Sequence, residues 1–140
     1  MKRNILVFPC GSEIGLEIHR SLKYSTHFNI IGGNSIDDHG KFVYQDYIGN
    51  IPFIDSDNFL EEIRKIVVNY NIEAIYPATD KVITVLKKNE SSIGCKIISS
   101  SKDTVEICLS KSKTYDILKS IIKVPRVYKI EEINSFPIFN

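Results

Sequence analysis

The sequence predicts an α/β protein: a doubly wound, mainly parallel sheet with helices on both faces. Three observations carry this. Short continuous apolar runs alternate with longer amphipathic ones, the pattern of strands buried on both faces and joined by crossover helices. The runs are separated by clusters of Gly, Pro, Ser and Asn. The first run passes through a glycine-bearing turn straight into a helical pattern, Ile5-Leu-Val-Phe-Pro-Cys-Gly-Ser-Glu-Ile-Gly-Leu-Glu-Ile18.

Ile5–Phe8 is the first strand. Glu13–Lys23 follows as a helix, with Ile14, Ile18 and Leu22 at four-residue spacing on one face. Phe28–Ile31 is a second strand, closed by Gly32-Gly33-Asn34. Ser35–Ile54 has no clean period and reads as a long, partly structured connection, where function often resides. In it, the aromatics Tyr44, Tyr47 and Phe53 lack interleaved basic residues and are expected to pack locally.

Asp57 is expected to cap a helix running to about Tyr70, with Phe59, Leu60, Ile63, Val67 and Tyr70 inward. Ala74–Tyr76 is a third strand ended by Pro77, and Asp80–Lys88 a further helix with Asp80 as its expected N-cap. Cys95–Ile98 is a fourth strand, with Ser99–Ser101 as its turn. Helical pattern resumes near Asp103 and breaks at Ser110, which can cap a last helix, Lys111–Ile122. Val124-Pro125 ends it, because proline disfavours helical geometry in the residue before it. Val127–Ile130 and Phe136–Phe139 have the look of strands.

The bulk numbers fit one soluble domain. The chain has 140 residues, 43% hydrophobic and 25% charged, with a net charge of +1. That balance gives no reason to expect a nucleic-acid or membrane partner. Cys10, Cys95 and Cys108 are scattered, and the first apolar run is too short for a leader or a span, so a cytoplasmic location is expected. His19, His27 and His39 have no metal-like spacing.

In a doubly wound sheet, ligands sit beyond the carboxyl ends of the strands, which singles out Pro9–Glu13, Gly32–Ser35, Pro77–Asp80 and Ser99–Ser101. Gly11, Ser12, Glu13, Asn34, Thr79 and Asp80 are the candidate substrate-binding residues. The first turn has nucleotide-site layout but not its chemistry. Neither register of Gly-x-Gly-x-x-Gly fits Gly11 and Gly15, and no Walker sequence is present. Glu13 in the first helical turn already occupies the positive helix end and opposes a pyrophosphate. Gly11 would permit the sharp turn, and Gly15 the close approach of helix to strand. Ser12 and Glu13 can equally be helix-capping residues. Cys10 beside this turn lacks an evident base and reads as small-residue packing rather than a nucleophile. Asp37 and Asp38 lie where a ribose-binding acid would follow the second strand, but the missing glycines speak against a nicotinamide site.

One run adds a resemblance. Leu109-Ser-Lys-Ser-Lys-Thr-Tyr-Asp-Ile-Leu-Lys119, followed by Val124-Pro-Arg-Val-Tyr128, resembles the segment leading into the ATP-binding core of ATP-grasp enzymes. The Phe8–Ile18 turn and Ile75-Tyr-Pro-Ala-Thr-Asp80 resemble the N-terminal domain of the same superfamily, most nearly its carbamoyl-phosphate-synthetase large-chain branch. The resemblance implies a Rossmann-like pre-ATP-grasp domain over residues 1–123 and the start of the ATP-grasp domain over 124–140. It implies a ligase that activates a carboxylate with ATP and magnesium through an acyl phosphate, for attack by an amine or other nucleophile. It further implies that this domain helps form the acceptor-substrate site, with a downstream ATP-grasp domain of the same chain as partner. Lys111, or in the other register Lys113, would reach the ATP phosphates.

The flap, the basic residue over the nucleotide and the magnesium-holding acids of that family do not follow Ser135-Phe-Pro-Ile-Phe-Asn140. The chain therefore reads as a truncated piece that lacks the catalytic core, with no cofactor tightly bound to it, and its exposed strand is expected to be able to pair with a second copy as a homodimer. The alternative is a stand-alone Rossmann-like ligand-binding or regulatory module without catalysis.

Overall fold

The computed structural model describes residues 1–128. Five strands form one all-parallel sheet: β1 (Arg3–Phe8), β2 (Phe28–Gly33), β3 (Asp46–Ile48), β4 (Ile72–Pro77) and β5 (Lys96–Ile97), in the order β3-β2-β1-β4-β5. The chain builds outward from β1 to β3, then returns past β1 to lay down β4 and β5. The reversal falls between β1 and β4, and places a crevice at their carboxyl ends.

Alternation along β1 feeds two cores. Leu6 and Phe8 join a cluster with Ile31, Phe59, Ile63 and Ile75, beneath α3 (Phe59–Asn69), α4 (Asp80–Lys88) and α5 (Glu90–Ile93). Val7 joins Cys10, Ile18, Tyr44 and Ala78 on the opposite face, beneath α1 (Glu13–Leu22) and α2 (Gly40–Val43). Each fully buried large side chain contributes about 1.5–3 kcal/mol. Two further helices, α6 (Lys102–Leu109) and α7 (Lys111–Leu118), bury no residue among those described.

The structure bears out the doubly wound sheet and departs from the sequence reading in detail. The connection after β2 holds a short helix and the edge strand β3, too brief to show a period of its own. Asn58, not Asp57, occupies the N-cap of α3, and its side chain makes no capping bond. Thr79, not Asp80, occupies the N-cap of α4, again without a side-chain bond, and Asp80 is the first helical residue. Ser12 and Ser110 do cap, accepting from the backbone N–H of Gly15 at 3.0 Å and of Lys113 at 3.4 Å. The last helix stops at Leu118 rather than Ile122. Tyr44 is buried and Tyr47 partly so, but Phe53 is exposed and does not pack as expected. Val127 and Tyr128 lie in no regular element. The rest of the expected Val127–Ile130 strand, the Phe136–Phe139 strand and most of the segment 124–140 lie outside the described residues.

Candidate functional site

The β1–α1 turn is held from three sides. Gly15 lies against the strand end, where a Cβ would stand 2.5 Å from the Cys10 carbonyl oxygen and 2.8 Å from that of Pro9. The Tyr44 hydroxyl donates to the Gly15 carbonyl at 2.5 Å, tying α2 to α1. The Ser12 hydroxyl reaches the carbonyls of Pro9 (3.0 Å) and Ala78 (3.2 Å), fastening the turn to the end of β4.

The space over Gly11 is filled by the protein itself. The Asp38 carboxylate packs directly on Gly11, so that a Cβ there would collide with it, and accepts from the Gly40 N–H at 2.8 Å. Gly40 in turn lies on Gly11, where its own Cβ would stand 2.8 Å from the Gly11 nitrogen. A nucleotide fold offers this position to a phosphate. This chain puts its own carboxylate there. In this arrangement the Asp38 carboxylate opposes an anion over the turn, and one of its oxygens is already engaged by the Gly40 N–H. Nearby, Lys41 pairs with Asp37 and holds its carboxyl below the usual range, and the Tyr47 hydroxyl donates to Asp37 at 3.2 Å.

Cys10 is fully buried under this turn. Burial first, and the Asp38 carboxylate second, push its thiol up to about 12, so it stays protonated at neutral pH and cannot act as a nucleophile. Asn34, at the end of β2, is 4% exposed. Its Oδ1 accepts from the Ser35 N–H at 3.2 Å, while its Nδ2 has no partner among the described residues. An unpaired buried donor costs about 1–3 kcal/mol, which makes Asn34 the one strained polar group of the candidate set.

Across the sheet, the carboxyl ends of β4 and β5 open into a cleft of about 310 Å³. Ile14 from the start of α1, Tyr76 and Pro77 from β4, and Val105 and Leu109 from α6 give it apolar walls. Asp80 stands at its edge as the single charged lining residue, accompanied by Ser99, Ser100 and Thr104. A wider depression of about 620 Å³, lined by Met1–Arg3 and Thr26–Phe28, lies at the amino ends of β1 and β2, the wrong end of a parallel sheet for a ligand.

The six candidate residues thus divide. Gly11 and Asn34 lie on the β1–β2 side. Thr79 and Asp80 lie on the β4 side, with Asp80 in the cleft. Ser12 joins the two, and Glu13 is exposed beside it in the first turn of α1. Lys111 and Lys113 are exposed at the start of α7. Sequence reasoning missed Asp38 as the plug of the turn and α6 as a wall of the cleft. Both depend on contacts between distant segments. Among the described residues, no group of three or more His, Cys, Asp or Glu is placed to hold a metal ion, and no helix is long and apolar enough to cross a membrane.

No family model and no curated protein matches the chain. Its fold is similar to part of several solved carboxylases. A pyruvate carboxylase variant from Rhizobium etli, crystallized without acetyl coenzyme A, superposes with a TM-score of 0.67 at 15% identity, over 99% of this chain and 15% of that one. The biotin carboxylase domain of the Hydrogenobacter thermophilus 2-oxoglutarate carboxylase, a dimer in complex with MgADP, ADP and bicarbonate, gives 0.61 at 18%, over 86% and 27%. A single-chain, multi-domain long-chain acyl-CoA carboxylase gives 0.62 at 13%, over 90% and 14%. The chain spans well under a third of each of these. At such identities the likeness is one of fold.

Proposed function

We propose that the chain is the substrate-side, Rossmann-like domain of an ATP-grasp ligase, which holds an acceptor for a carboxylate-activating reaction. The observation that carries this is the plugged turn beside an open cleft. The fold keeps the layout of a nucleotide-binding unit, gives the phosphate position to Asp38, and leaves a carboxyl-end opening at Asp80. A domain so built receives a small molecule and leaves the nucleotide to another part of the protein. The fold likeness to carboxylases supports the superfamily. The carbamoyl-phosphate-synthetase branch rests on the sequence motifs alone.

ATP and magnesium do not fit the described residues: the glycine turn is occupied by a carboxylate, and no acidic cluster offers magnesium its oxygens. The ATP-grasp core is therefore assigned to a downstream domain of the same polypeptide, with Lys111 as the residue of this domain directed to the phosphates. The part left to Gly11, Ser12, Glu13, Asn34, Thr79 and Asp80 is to shape and fix the acceptor side. The test is ATP-dependent hydroxamate formation by the native polypeptide with hydroxylamine and a panel of carboxylates. Hydroxamate formation that depends on one of the carboxylates is expected, lost on Lys111→Ala. Submicromolar binding of ATP or NAD by these 140 residues alone would overturn the reading.

A further inference from the structure

We propose that the exposed apolar face of α7 is the surface on which the downstream domain of the same polypeptide docks. This docking face rests on the proposed function, which assigns the ATP-grasp core to that domain. Among the described residues, α6 and α7 bury none, whereas every other helix buries at least one. α6 rests on α4, and α7 rests on α6. A helix of 8 residues is marginal in water by itself, so α7 draws its stability from what packs on it.

α7 is nevertheless a defined element. A single residue, Ser110, joins it to α6, and the Ser110 hydroxyl accepts from the Lys113 N–H at 3.4 Å. The Thr114 hydroxyl donates to the Ile107 carbonyl at 2.9 Å, pinning the first turn of α7 to the end of α6. Beyond Leu118 the backbone keeps the helical path: the Lys119 N–H donates to the Tyr115 carbonyl and the Ile122 N–H to that of Leu118, each at 2.9 Å. Ile117 and Ile121 therefore fall on one face, with Ile122 beside them, and they are 49%, 74% and 55% exposed. Single exposed apolar side chains are ordinary, but three gathered within two turns form a patch that marks an interaction surface. Lys111, Lys113 and Lys123 are exposed along the same segment, as is Lys119, which pairs with Asp116 at 3.0 Å. An apolar centre with a charged rim is the make-up of a protein interface.

Two features name the occupant. Lys111, directed to the phosphates of the downstream domain under the proposed function, is the first residue of α7, so that domain lies against this helix. The chain also runs on from α7 through residues 124–128 into 129–140, where Ile130, Ile133, Phe136, Ile138 and Phe139 are apolar and Glu131 and Glu132 carry the charge opposite to the lysines. A partner on the same chain is present at an effective concentration of about millimolar, well above that of a second copy in dilute solution.

Hydrogen exchange of the native polypeptide, followed by peptide mass spectrometry, tests this. Peptides of α7 are expected to exchange slowly, at a rate that does not change on dilution. Ile117→Asp and Ile121→Asp should each speed that exchange about tenfold to a hundredfold, the scale of one large apolar side chain lost from an interface. β1 and β4 should keep their protection, because both positions are exposed within this domain. Ile121→Ser, which adds no charge, keeps the test where an aspartate disturbs the sheet. An α7 that exchanges freely in the unsubstituted polypeptide, or protection that survives these substitutions, would overturn the proposal. Protection that falls on dilution together with the mass of the particle would overturn it in favour of a second copy. Hydroxamate formation is read separately: a protected α7 without turnover on any carboxylate overturns the ligase reading and leaves the docking face standing, and turnover with a freely exchanging α7 does the reverse.

Discussion

Replacing Gly15 with alanine tests the packing that makes the β1–α1 turn. The added methyl would lie 2.5 Å from the Cys10 carbonyl oxygen and 2.8 Å from the Cys10 carbon and the Pro9 oxygen. These are backbone atoms that cannot swing aside. An ordinary carbon–oxygen contact is about 3.3–3.6 Å, so α1 must retreat by about 1 Å. That retreat stretches two bonds anchored on residue 15: its N–H to Ser12 Oγ at 3.0 Å and its carbonyl to the Tyr44 hydroxyl at 2.5 Å. Overpacking costs about 1–3 kcal/mol and a damaged N-cap about 1 kcal/mol more. Alanine returns about 1 kcal/mol in helix propensity. The net expectation is a loss of about 2 kcal/mol, a fall of about 1 M in the urea midpoint at an ordinary slope. Equilibrium urea unfolding followed by circular dichroism measures it. A control is Gly94→Ala, where a Cβ meets nothing within 4 Å but φ is +90°. It should cost about 1–2 kcal/mol from backbone conformation alone. An unchanged or raised midpoint for Gly15→Ala would refute the claim that the helix is pressed onto the strand end.

Other substitutions read neighbouring features. Tyr44→Phe removes the buried hydroxyl that ties α2 to α1 and should cost about 1 kcal/mol by the same urea assay. Glu90 accepts from Lys87 (2.8 Å) and from the Ile97 N–H (2.8 Å), which hold its carboxyl below the ordinary value of 4.5. A depressed carboxyl contributes stability above its unfolded pKa and loses it as pH falls through the folded one. Glu90→Gln should therefore be less stable at pH 7 by about 0.5–1 kcal/mol, and the gap to wild type should close below pH 4.5. In the folded protein at neutral pH, N-ethylmaleimide should modify Cys108 first. Burial pushes Cys10 up to about 12 and Cys95 up to about 11, so both should react fast only in denaturant.

Much of this fold is legible locally. Val7 and Leu6 lie in a run with no polar residue, so their burial on both faces of the sheet follows from the run itself. Ser12 is followed three residues on by the N–H it caps, and Ile18 lies one turn beyond Ile14; such short-range relations survive without the rest of the chain. Asp57, Asn58, Thr79 and Asp80 mark where the local signal fails. Adjacent cap-competent residues compete, and the angle at which each helix leaves its loop decides between them.

The sequence by itself determined the α/β class with a mainly parallel sheet, the order of the main elements, and that the first turn lacks the Gly-x-Gly-x-x-Gly and Walker patterns, because these depend on composition and period within single segments. Only the tertiary structure decided what stands over that turn and where the open cleft lies. β3 exists because β2 offers it a hydrogen-bonding edge. Asp38 plugs Gly11 because two glycines, far apart in the chain, have no side chains to keep the loop away. The cleft belongs jointly to α1, β4, α4 and α6, and exists only once those elements are brought together.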